Sequence, residues 1–211
     1  MQKISTNIGI NSYHLVENLN GLQNICNSIL VLYEAHAIEK QELTNLANLT
    51  YYLSWNCSKS IIELKTLLNA TSNIEQDYAK GQLCVTINEC IKHLIGFETD
   101  DGKVRKKNLW IKEMGKYISK HPEIEKQYKK IKDDLILYAD SFEKGSNIEV
   151  VRNIAAHGDS KIDNLIKIHN LSSLEVLRYL DGLGKCMLPA ANFAFNCFEN
   201  ECQQEMNNDN K

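Results

Sequence analysis

The chain has 211 residues with 24 basic against 27 acidic side chains, a net charge of −3. That allows one domain with a real core and argues against generic nucleic-acid binding by the surface as a whole. A hydrophobic content of 43% beside 24% charged residues excludes an intrinsically disordered chain.

Helical periodicity dominates from the start. Leu15, Leu19, Leu22, Cys26, Ile29 and Tyr33 recur at three and four and predict a first helix over 12–36. Leu46, Leu49, Leu53, Cys57, Ile61, Leu64 and Leu68 predict a second, with Trp55 near its middle, antiparallel to the first. Leu83, Ile87, Ile91 and Leu94 mark a third, ending near Gly96, and the polar "ETDDGKVRKKN" then reads as a loop. A shorter fourth helix takes Ile111, Met114 and Ile118 and stops before Pro122, whose ring suits the first turn of a fifth that runs from Ile124 to near Gly145.

"SNIE" at 146–149 and "SSLE" at 172–175 match the capping box, in which serine and glutamate side chains satisfy free N–H groups. They open a sixth helix over 147–157 and a last one in which Pro189 predicts a kink. "LIKIHNL" between them fits a short helix or an extended loop, and the polar tail from about 201 reads as frayed. The expectation is one all-α domain over 1–211, an up-and-down bundle of six to seven helices. No run approaches the roughly 20 apolar residues of a membrane span, and the N-terminus lacks the apolar block of a signal peptide, so a cytoplasmic protein off the membrane is expected.

Seven cysteines, an odd number mostly on apolar helical positions, read as reduced thiols. Cys90 and His93 have no second Cys/His pair at ligand spacing, so neither a metal nor another cofactor is expected. The sequons at Asn48, Asn56, Asn69 and Asn170 carry no meaning without a secretion signal.

Charge is uneven along the chain. Residues 103–132 hold eleven basic side chains against Glu113, Glu123 and Glu125. Lys112, Lys116 and Lys120 share one helix face by their spacing of four, with Trp110, Tyr117 and Tyr128 among them. Such a face suits an RNA backbone, and the plain alternative is a solvated face whose aromatics point into the core.

The stretch "NIEVVRNIAAHGDS" at 147–160 carries the chemistry. With Ser146 as N-cap and Gly158 as terminator, His157 falls in the last turn, where the macrodipole favours an imidazolium. Asn153 lies one turn before His157 on the same face. Arg152 is five residues away, about 140° around the helix, so the arginine and histidine of one chain do not stack and a site built from two chains becomes attractive. Ala155 and Ala156 keep the neighbouring surface low enough for a second helix, while Val151, Ile154 and Ala155 form the buried side. The plain alternative pairs Arg152 with Glu149 and leaves His157 as a helix cap.

"RNIAAH" at 152–157 resembles the Arg-x(4–6)-His signature of the HEPN superfamily, in the form where a polar Asn follows the Arg, late in an all-α chain before a long final helix. The resemblance implies a HEPN-like bundle and a metal-independent endoribonuclease acting as a homodimer in a toxin–antitoxin, abortive-infection or other antiviral setting, with an antitoxin or defence partner. It assigns Arg152 to the reacting phosphate, His157 to proton transfer and Asn153 to positioning, with Lys112, Lys116 and Lys120 as candidate RNA contacts. Where some relatives carry a modifiable tyrosine two residues after the histidine, this chain has Asp159. A non-catalytic HEPN-like module binding RNA, a nucleotide or a protein partner stays open beside it.

Overall fold

A computed structural model describes residues 12–34, 38, 41–96, 108–141, 146–158 and 161–209, with the side chains of 12–19, 208 and 209 left aside. The described residues hold eight α-helices and no strand. They are α1 (Ser12–Glu34), α2 (Gln41–Asn69), α3 (Asn73–Ile95), α4 (Gly115–Ile118), α5 (Glu125–Asp140), α6 (Asn147–His157), α7 (Ile162–Asn170) and α8 (Ser173–Asp209). The loop expected at 98–108, save Asn108 at its end, and Asp159 lie outside the described residues.

One feature, α7, raises the helix count above the expectation of six to seven, and a second changes the make-up of an expected helix. "LIKIHNL" is helical up to Asn170 and forms most of α7, yet α7 buries only Ile168, with Leu171 buried just past its end, which is why the pattern is ambiguous in sequence. The fourth helix is composite: a π-helical turn at Trp110–Met114 leads into α4, and a 3-10 turn at Pro122–Ile124 precedes α5. Trp110 is fully buried there, stacked on Tyr128 at 5.9 Å between ring centroids and tilted against Phe193 at 6.1 Å. The bulged turn lets one short segment place this large ring in the core.

α3 is the hub, packing against α2, α5, α6, α7 and α8, while α2 also packs on α1 and α8. A three-residue connection makes α2 and α3 an antiparallel hairpin. Its turn is fixed by Ser72, whose Oγ accepts from Glu75 N–H at 3.2 Å while the Glu75 carboxylate accepts from Ser72 N–H at 3.2 Å. This second "SNIE" is a complete capping box, worth about 1 kcal/mol.

α8 runs as 37 residues with Pro189 inside it and stays helical through the polar stretch from 201 to Asp209. All seven cysteines are free thiols, six of them buried. Among the described residues no helix is long and apolar enough to cross a membrane.

Candidate active site on helix α6

Both ends of α6 follow from its sequence. Ser146 Oγ accepts from Glu149 N–H at 3.4 Å, and Gly158 adopts φ 62°, ψ 41° while its N–H donates to the Ile154 carbonyl. Only glycine takes that left-handed conformation without a Cβ penalty, so the helix stops directly after His157.

Ile148, Val151 and Ile154 are buried against the core, and Ala155 is half-buried. A Cβ added to Gly81 on α3 would lie 3.1 Å from the Ala155 Cβ. The helix that uses the low surface at Ala155 is α3 of the same chain, so Ala155 belongs to the inward side of α6, while Ala156 is exposed.

This close approach places Arg152 against α3. Its Nη2 donates to the Glu89 carboxylate and its Nη1 to Asn153 Oδ1 at 2.6 Å. Its Nε is buried without a hydrogen-bond partner. The acidic partner that the structure gives Arg152 is thus Glu89, 63 residues earlier, rather than Glu149 within its own helix.

Burial pushes the Glu89 carboxyl up, but the Arg152 guanidinium, aided by Lys92 and His93, outweighs it and holds the group below the usual carboxylate range. Lys92 is shifted down by burial and by Arg152, against the opposing pull of Glu149 and Glu89. His93 Nε2 lies 4.0 Å from Glu89 Oε2, and its ring sits tilted on Tyr52, 5.7 Å away. The Tyr52 hydroxyl donates to the Glu89 carbonyl at 3.5 Å, and burial raises the phenol's pKa.

Asn153 and His157 are exposed on the outer face of α6, and the hydrogen bond to Asn153 draws the guanidinium toward that face. Among the described residues the His157 side chain has no hydrogen-bond or ion-pair partner. The arrangement offers a cation anchored by Glu89 and Asn153 and, separately on the outer side of the same helix, an accessible imidazole.

The lysine row is tied elsewhere. Lys112 and Lys116 each lie 3.6 Å from Glu113, and Lys120 pairs with Glu42 at the start of α2. Glu42 and Tyr52 mark different stations on α2, about 15 Å apart along its axis at 1.5 Å per residue. The structure thus joins Arg152 and Asn153 and does not bring the lysines to them. Trp110, Tyr117 and Tyr128 are buried, so these aromatics serve the core rather than a base-stacking face.

Glu89, Lys92 and Tyr52 went unmarked in the sequence, where His93 counts only beside Cys90 as a metal ligand. The available signal was the i, i+4 pair Glu89 and His93 on one face of α3. Among the described residues no group of three or more His, Cys, Asp or Glu side chains is placed to hold a metal ion. The chain matches no family model, and no curated protein or solved structure matches it.

Proposed function

We propose that the protein is a HEPN-type, metal-independent endoribonuclease in which Arg152 and His157 act across a homodimer axis. The observation that carries this reading is the hydrogen bond from Arg152 Nη1 to Asn153 Oδ1, which brings the guanidinium to the exposed face of α6 that also presents His157. The two Nη groups carry four N–H bonds, and Glu89 and Asn153 engage two of them. The others remain for a phosphate.

In this reaction the RNA 2′-oxygen bonds to the neighbouring phosphorus and loses its proton to a base. The P–O5′ bond breaks, and the departing oxygen takes a proton. His157 handles a proton, Arg152 offsets the charge that builds on the phosphoryl oxygens, and Asn153 positions the guanidinium. The products are a 2′,3′-cyclic phosphate and a 5′-hydroxyl. DNA lacks the nucleophile and is spared.

The dimer is supported by the apolar surface beside the site. Ile162 is 74% exposed on α7, with Leu165, Ile166 and Leu174 also exposed. Such a surface, on the helix packed against α6 and at the start of α8, suits a second copy of the chain. Lys112, Lys116 and Lys120 serve as outlying contacts to the RNA backbone, and the setting is toxin–antitoxin, abortive infection or another antiviral defence in the cytoplasm, with an antitoxin or defence partner as its control.

Glu89 favours a second reading. A carboxylate that neutralises Arg152 suits an arginine that fastens α6 to α3, in a HEPN-like module that binds RNA, a nucleotide or a protein without cutting. Incubating varied RNAs with wild type, Arg152→Ala and His157→Ala separates the two. Cleavage by wild type alone supports the enzyme; intact RNA throughout, with binding retained, supports the module.

A further inference from the structure

Glu89 stands among three groups that can carry positive charge. Its Oε1 accepts from Arg152 Nη2, its Oε2 lies 4.0 Å from His93 Nε2, and Lys92 follows it by about one turn of α3. Lys92 feels the same neighbours: burial and Arg152 disfavour its charge, while Glu149 and Glu89 favour it. A guanidinium, an imidazole and an ammonium around one carboxylate are the kind of donor set with which proteins hold phosphate. Here the anion beside them belongs to the chain itself.

The hold on that anion is incomplete. A carboxylate set side-on to an arginine takes Nε and one Nη in parallel. Glu89 instead divides its oxygens between Arg152 and His93, and Arg152 Nε stays buried with no hydrogen-bond partner. Of the two side chains Glu89 is the more open, 38% exposed against 20%, so an anion arriving from solvent meets the carboxylate. The backbone at Glu89 is tied down, its carbonyl accepting from the Tyr52 hydroxyl. Only the side chain has to turn to uncover the guanidinium.

We propose that Glu89 is an internal stand-in for phosphate: its carboxylate occupies an anion site made by Arg152 and His93 with Lys92 beside them, and competes with the RNA backbone for it. The inference rests on the reading of Arg152 as the phosphate-binding group and adds a restraint to it; it does not require that RNA be cut. Two anions at one guanidinium repel each other, so phosphate binds as the Glu89 carboxylate gives way. Asn153, a neutral partner of Nη1, sets up no such conflict.

The test uses the full chain and a 2′-O-methylated RNA oligonucleotide, which keeps the phosphates but lacks the nucleophile, so binding is read apart from cleavage. Affinity is measured by fluorescence anisotropy at low salt. Glu89→Gln keeps an oxygen for Nη2 and removes only the charge; it is expected to bind roughly tenfold tighter than wild type. Glu149→Gln removes an equal charge from α6 at a residue not paired with Arg152, and is expected to gain far less. In an Arg152→Ala background, Glu89→Gln brings no gain.

Should Glu89→Gln fail to fold, Glu89→Asp serves: it keeps the charge but falls short of Arg152 by one methylene, and a smaller gain that again vanishes with Arg152→Ala supports the same conclusion. Unchanged or weaker binding by a folded Glu89→Gln overturns the inference, as does an equal gain in Glu149→Gln or a gain that survives Arg152→Ala. Cleavage is scored separately on unmodified RNA. A gain that runs through Arg152 in a chain whose wild type leaves RNA intact upholds the inference and removes the ribonuclease reading, whereas cleavage by wild type with no gain removes the inference alone.

Discussion

Arg152 on α6 donates at once to Glu89 on α3 and, over 2.6 Å, to Asn153 beside it. The motif arginine is therefore both a fastener between two helices and a partner of Asn153 on the exposed side of α6. A role in each can be measured separately.

Removing the carboxylate leaves a half-buried guanidinium short of a partner. Glu89→Ala is expected to cost about 1–2 kcal/mol, read from the midpoint of urea unfolding; the range is set by charged hydrogen bonds, discounted because Glu89 is 38% exposed. The pH dependence has a definite sign. Glu89 ionises more readily folded than its ordinary value of 4.5, so its contribution is fully present above that value and lost as pH falls through the lower folded one. Glu89→Gln should flatten the acid limb of the stability profile.

The contact of Gly81 with Ala155 sets how close α6 lies to α3. Gly81→Val puts a branched side chain where even a Cβ would be 3.1 Å from the Ala155 Cβ. The expected loss is about 1–3 kcal/mol in urea unfolding, partly recovered by Ala155→Gly in the same chain.

Lys80 holds the other end of α3. It is 2% exposed, and its Nζ donates to the His169 and Leu171 carbonyls at 2.9 and 3.1 Å and pairs with Asp77 at 2.8 Å. Lys80→Met should lower stability by about 3 kcal/mol, because it strands two carbonyls and leaves Asp77 with His169 as its remaining partner. Hydrogen exchange should then quicken first in α7.

The ends of α6 were legible in sequence because local chemistry sets them: a serine that caps and a glycine that accepts positive φ. The hydrophobic spacing gave the long helices for the same reason. Arg152's partner was not legible, since a contact spanning 63 residues depends on how two helices pack, and Glu149 at i−3 offered a nearer alternative. Lys80 was hidden similarly; a lone lysine in an apolar stretch looks solvated until backbone carbonyls from another segment surround it. The lysines at 112, 116 and 120 are each exposed, but they lie in a π-helical turn, in α4 and just beyond its end rather than in one regular helix, and the acids that pair with them come partly from α2, beyond what a charge run shows.

If Lys112, Lys116 and Lys120 touch RNA, changing all three to Gln lowers the slope of log affinity against log salt by about 2, each single-strand phosphate contact contributing roughly 0.7. An unchanged slope assigns them wholly to Glu113 and Glu42.

The central claim is that Arg152 and His157 meet across two chains. Arg152→Ala and His157→Ala homodimers should each cut RNA at least 100-fold more slowly than wild type, the usual scale for a lost acid–base or charge-stabilising group. Co-refolding the two mutants in equal amounts is the most direct measurement. Random pairing makes half the dimers mixed, and each mixed dimer keeps one intact Arg152–His157 combination, so about a quarter of wild-type activity should return, with 2′,3′-cyclic phosphate ends. No recovery in demonstrably mixed dimers, or single mutants that cut like wild type, would contradict the account.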